Sequence, residues 1–284
     1  MVLEDINTGW LLDRPYVSFF LGFMYSIIGY IIATLFFFEN SVSVAMLFLT
    51  TLLMVPTFVG VLSHEEGLES RQPESGIFSF LKNHRTIIEV YILIFLGAFI
   101  GFVVLGVLAA DKVPLIFNYQ LDFLSTREGI TTKTLDHFFS TTNVPTVPNA
   151  LGIVQHNLSV ALIAFFLSVV FGAGALFLIV LNASVFASFG VLILRYLATD
   201  FSGGLKIILI FGTHLVPELA GFILAAIAGG VVSKALLTES FGSDGFKNVV
   251  RDSLYLFLVS CILILAAAFL EIYVTADLFA GFPS

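Results

Sequence analysis

Charge and sulfur are both scarce in this chain. Charged residues make up 11% of its 284 positions, under half the share usual for a soluble globular domain. The one cysteine, Cys261, lies inside an apolar segment, which excludes an intrachain disulfide and every multi-cysteine metal motif. The 12 Lys and Arg are scattered among 20 Asp and Glu, for a net charge of −8, so nothing forms the basic patch that nucleic acid or anionic lipid would need. Neither His-Glu-x-x-His, nor a Gly-x-Ser-x-Gly elbow, nor a Walker A loop occurs. Zincin, serine-hydrolase and ATPase chemistry are therefore not expected, no cofactor is implied, and any energy used would have to come from a partner or a gradient.

What the chain has is apolar length. Hydrophobic residues account for 58% of it, and a lipid-crossing helix needs about 20 of them in a row. Apolar windows fall at 17–38, 42–62, 87–110, 157–180, 183–198, 207–232 and 254–273. The expected fold is all-α, a polytopic transmembrane helix bundle of seven spans, or six if the short fifth window is re-entrant. The first window follows an acidic lead (Glu4, Asp5, Asp13) and ends without a small-x-small pattern, so it reads as a retained span rather than a cleaved signal. Trp10 and Tyr16 fit an interfacial anchor. The expected location is the cell membrane, with the lipid bilayer as first partner.

Three regions follow: a two-span hairpin (1–62), an acidic-then-basic cytoplasmic linker (63–86), and a five-span core (87–284) with a long extracytoplasmic loop at 111–156. The loop opens with Leu115, Ile116, Phe117, Tyr119, Leu121, Phe123 and Leu124, spaced for an amphipathic helix lying on the membrane surface. It continues through Thr131–Thr134 to Val144-Pro145-Thr146-Val147-Pro148, an irregular stretch. A loop of this size suits a docking protein partner or a lid over the helices. Gly97-x-x-x-Gly101 and Ala183-x-x-x-Ala187 have the small-residue spacing that lets helices pack closely. That spacing holds the bundle together, and it leaves a homo-oligomeric seam open.

Ionisable groups inside apolar windows are the candidate functional residues, because charge in lipid is costly and must face protein or water. From Asn157 to Ala198 the only charge is Arg195. The next span contains His214 and Glu218, four apart and so on one helical face. Pro217 between them removes the backbone bond to the Thr213 carbonyl and should kink the helix. Arg195 and Glu271 are expected near the same membrane face. Asn157 and Asn182, the latter where the fourth span meets the fifth, are expected to hydrogen-bond between helices. The economical interpretation is an ion-paired cluster of Arg195, His214, Glu218, Glu271 and Asn157. A proton, ion or substrate site and a catalytic carboxylate are the other readings. One histidine with one or two carboxylates falls short of the two- or three-histidine set usual in a catalytic zinc site, so no metal is expected.

Three stretches, in order, resemble the stage II sporulation protein M family from about Asn83 to Leu278. They are Asn157-Leu158-Ser159-Val160-Ala161 with Phe171-Gly172-Ala173-Gly174 and Leu181-Asn182-Ala183; then His214-x-x-x-Glu218 with the small residues Ala225 to Gly230; then Ala268 to Thr275 around Glu271. The chain departs from the family pattern at Thr213, where a proline is usual, at Pro217, and at Ala183, where glycine is usual. The resemblance implies a non-enzymatic membrane scaffold or anchor that binds partner proteins, in spore formers peptidoglycan hydrolases, through the loop at 111–156. A transporter or channel-like component with its polar site at Arg195, His214, Glu218 and Glu271 is the alternative.

The positive-inside rule orients the seven-span arrangement. With the amino terminus cytoplasmic, Arg14, Arg71, Lys82, Arg85, Lys234, Lys247 and Arg251 lie inside, against Lys112, Arg127, Lys133, Arg195 and Lys206 outside. Six spans would leave no bias. A tag appended at Ser284 is therefore expected to be reached by an impermeant label from outside intact cells, and labelling only after permeabilisation would contradict the orientation.

Overall fold

The computed structural model describes residues 8–69, 85–127, 147–197 and 201–280. Among them every regular element is helical. A short helix α1 (Thr8–Asp13) leads into α2 (Val17–Phe36), α3 (Val42–Glu69) and α4 (Arg85–Leu108). Two short helices, α5 (Val113–Ile116) and α6 (Asn118–Arg127), precede the long helices α7 (Val147–Phe171), α8 (Leu176–Leu197), α9 (Phe201–Thr238) and α10 (Asp244–Leu270). One π turn, Glu271–Thr275, then joins α10 to α11 (Ala276–Ala280).

Among the described residues, six helices (α2, α3, α4, α7, α9 and α10) are long and apolar enough to cross a membrane, and α8 adds a shorter apolar stretch, Leu176–Leu192. The outer surface agrees with that length. Leu35, Phe166, Val170 and Leu209 are among many large apolar side chains left exposed, an exterior that would drive aggregation in water but is at rest against lipid. The chain is thus an all-α, multi-pass membrane bundle.

Close backbone approach organises it. Glycine removes the side chain that would hold two helices apart, and in lipid such approach replaces the hydrophobic drive that water would supply. A Cβ at Gly22 of α2 would collide with the Ile94 carbonyl of α4, and one at Gly97 of α4 would collide with the Phe19 carbonyl of α2. The two glycines therefore form a reciprocal crossing, extended by Gly101 against Ser26. Helix α3 closes over the same pair, with the Phe58 and Tyr91 rings edge to face at 4.3 Å. The N-terminal hairpin is bound into the bundle in this way.

Helix α9 lies deepest. Every residue from Gly221 to Gly230 is buried, which means protein surrounds that part of the helix on all sides. Small residues permit the enclosure: Gly229 meets the Phe165 carbonyl and Ser168 of α7, and Gly221 faces Ser260 and Ile264 of α10. The Ser260 hydroxyl donates to the Gly221 carbonyl at 2.7 Å, which ties α10 to α9.

Three boundaries differ from the sequence expectation. The fourth and fifth helices separate at Gly172, which has a φ of +61°, and not near Asn182, which lies inside α8. Only glycine adopts that left-handed turn without strain, and the uninterrupted apolar run hid it. With the break earlier, α8 has 22 residues, or about 33 Å of helix, of which Leu176–Leu192 is the apolar stretch. The segment after Asp111 is helical, and one apolar face packs on the bundle: Val113, Ile116 and Phe117 are buried in the core. The Gln120 amide donates to Ser184 of α8 at 3.1 Å, and the Tyr119 N–H donates to Ser43 at 3.0 Å. Finally, α3 runs on to Glu69, into the stretch assigned to the linker. The Thr131–Thr134 and Pro145 part of the long loop lies outside the described residues.

A valine at Gly97 would force α2 off α4, an overpacking cost of about 1–3 kcal/mol. A Cβ at Gly190 of α8 would have no neighbouring atom within 4 Å, so Gly190→Ala meets open space. Gly97→Val is expected to lower the melting temperature in detergent while Gly190→Ala leaves it unchanged or raises it. Equal behaviour of the two would refute the crossing.

Candidate functional site

The site grows from the face that α9 turns away from lipid. His214 and Glu218 are 6% and 8% exposed, whereas Val216 between them is 66% exposed. Residues two apart lie on nearly opposite sides of a helix, so one apolar side chain meets lipid while the ionisable pair faces protein. Helix α9 continues unbroken through Pro217.

Opposite this face lies the π turn. A π turn fits an extra residue into one helical turn, is rare, and occurs most often at functional positions. Here it carries Glu271 and Thr275, four apart, to the His214 level of α9. The donor atoms of His214, Glu218 and Glu271 all lie within 4.8 Å of one another. At an effective dielectric near 20, two carboxylates about 4–5 Å apart repel by roughly 3–4 kcal/mol when both are ionised. The cluster therefore needs positive charge, supplied by a proton, a basic side chain or a bound cation.

A chain of hydrogen bonds sets the state of the histidine. The Thr213 hydroxyl donates to the Ile210 carbonyl at 2.7 Å, since a carbonyl can only accept. A hydroxyl has a single proton, so Thr213 must accept in its 2.7 Å bond with Thr275, and Thr275 donates. Thr275 has then spent its proton, and its 2.9 Å bond to His214 Nδ1 requires the ring N–H as donor. The proton is thus fixed on Nδ1, and the lone pair of a neutral imidazole belongs to Nε2. Nothing in this sequence of bonds can be reversed without breaking the bond to Ile210.

Aromatic rings bring α8 alongside. Phe189 of α8 stands edge to face on Phe211 at 4.7 Å, and the Phe211 ring lies 5.8 Å from that of His214. Arg195 occupies the last turn of α8, on the same side of this contact as the start of α9; its side chain lies outside the described residues. Asn157 is buried in α7 and is not one of the three residues whose donors converge. Ala183 and Ala187 are fully buried in α8. The sequence reading missed Thr213 and Thr275. Glu271-x-x-x-Thr275 repeats the four-residue spacing of His214 and Glu218, and that spacing is the signal that could have found Thr275.

A multi-pass helical membrane protein with a buried histidine and two carboxylates at one helix crossing is the class that fold and site define. Residues 90–276 match the family described as stage II sporulation protein M, and the chain belongs to that family. Helices α1 to α3 stand outside the matched region as an added amino-terminal hairpin. No curated protein and no solved structure matches the chain.

Thr275→Val deletes the acceptor of His214 and the donor to Thr213 together. The expected loss is about 1–3 kcal/mol, the usual cost of stranding a buried polar group, seen as a lower melting temperature that Thr275→Ser restores. An unchanged melting temperature for Thr275→Val would refute the hydrogen-bond chain.

Proposed function

We propose that the protein is a transporter or channel-like membrane component whose pathway passes Arg195, His214, Glu218 and Glu271. The observation that supports this reading is the convergence of three ionisable donors within 4.8 Å on helices that cross the membrane. Lipid-buried ionisable groups mark ion or proton paths far more often than surface ones do, and a π turn at the same level strengthens that reading. Pro217 contributes by denying the Thr213 carbonyl its helical donor, which leaves a polar backbone group beside the cluster. In this reading residues 87–284 are the working core and 1–62 a brace.

The scaffold reading draws on the loop at 111–156. Its first part is engaged inside the bundle through Ile116, Phe117 and Gln120, which leaves less of it for docking. Its middle lies outside the described residues.

The test is cation and proton flux in liposomes reconstituted with the full chain, read by pH-sensitive and metal-sensitive dyes. Wild type is expected above empty liposomes, and Glu218→Gln to lower the flux by about tenfold or more, the loss typical when one group holding a ligand is removed. Flux no greater than that of empty liposomes, or an unchanged Glu218→Gln, would contradict the proposal.

A further inference from the structure

We infer that His214, Glu218 and Glu271 form a three-ligand site for a divalent first-row transition-metal ion, zinc or manganese in class. The inference rests on the transport reading only for the fate of the ion; the site itself stands on geometry. His214 and Glu218 supply two ligands from one face of α9. The π turn supplies the third.

Donor chemistry selects the ion. One imidazole nitrogen with two carboxylate oxygens suits zinc, manganese or ferrous iron, while calcium and magnesium favour all-oxygen shells. Ligands held at about 2.1 Å in tetrahedral geometry stand roughly 3.4 Å apart. Donors that already lie within 4.8 Å of one another need to draw in by at most about 1.5 Å, within reach of glutamate side chains with three rotatable bonds. A divalent ion also cancels the charge of two carboxylates beside a neutral imidazole, so the loaded site is neutral where lipid makes net charge costly.

The hydrogen-bond chain is the second, independent observation. A metal-binding histidine nearly always donates its other ring N–H to a partner that fixes tautomer and orientation. His214 does this through Nδ1 to Thr275, and Thr275 is held in turn by Thr213 and Ile210. In the neutral ring Nε2 is then the nitrogen that binds the ion. Thr275 is a positioning residue, and Glu218 and Glu271 would bind directly.

The experiment is titration of the full chain, purified in detergent and stripped with chelator, with zinc and manganese chlorides, followed by calorimetry and metal analysis. One ion per chain is expected. Glu218→Gln and Glu271→Gln should each weaken binding by more than about 100-fold, and Thr275→Val by about 10–100-fold, the range for an outer partner of a ligand. Thr275→Ser should restore affinity, which a purely structural role would not require. Each variant is compared at matched monodispersity, so that misfolding is separated from lost ligation. Absence of saturable binding by wild type, or binding that survives both glutamine variants, overturns the inference. Metal binding without flux would refute transport and leave a resident metal site; proton flux without metal binding would do the reverse.

Discussion

No water is available in the hydrocarbon core of a bilayer, and the whole arrangement follows from that. Each ionisable side chain carried into the membrane must find its partner in protein. Helix α9 meets the demand by rotation, with Val216 toward lipid and His214 and Glu218 toward the bundle. For the second half of the site to reach them, another helix must come close. Glycine at position 221 lets α10 approach until Ser260 bonds to its carbonyl, and the π turn at the end of α10 then delivers Glu271 and Thr275. Packing by small residues thus sets the distance at which the polar chemistry operates.

The polar groups divide into two kinds. Glu218, Glu271 and the Nε2 of His214 are the groups that, in the proposed function, exchange a proton or hold a cation. Thr213, Thr275 and the Ile210 carbonyl cannot, yet they decide which nitrogen of the ring is available. The hydrogen bonds run in one direction because a carbonyl is only an acceptor, and two hydroxyls with one proton each carry that direction to the histidine. An oriented imidazole among carboxylates suits a role in binding better than a role in stability alone, since a buried apolar substitute would stabilise the bundle as well or better.

Much of this was legible in the sequence because membrane physics leaves strong patterns. Apolar length gave the helices, and the four-residue spacing of His214 and Glu218 gave one face. The resemblance carried by Asn157, His214, Glu218 and Glu271 pointed to the family that residues 90–276 match. Three things were not legible. A continuous apolar run concealed the turn at Gly172, since a left-handed glycine looks no different in sequence from a packing glycine such as Gly97. The apolar residues Ile116 and Phe117 suit a lipid surface and a protein core equally, and only the position of Ser43 and Ser184 decides between them. No residue type marks a π turn, so Glu271 could be grouped with His214 and Glu218 but the turn that carries it there could not be foreseen, and Thr275 was left out.

The central claim is that hydrogen bonding fixes the proton of His214 on Nδ1 and leaves Nε2 to face incoming charge. Nitrogen-15 magic-angle NMR of histidine-labelled protein in bilayers measures this directly, with the His214 signals assigned by their loss in His214→Asn. The account predicts a protonated Nδ1 in wild type and a change at that nitrogen in Thr275→Val. A bare Nδ1 beside a protonated Nε2 would contradict it.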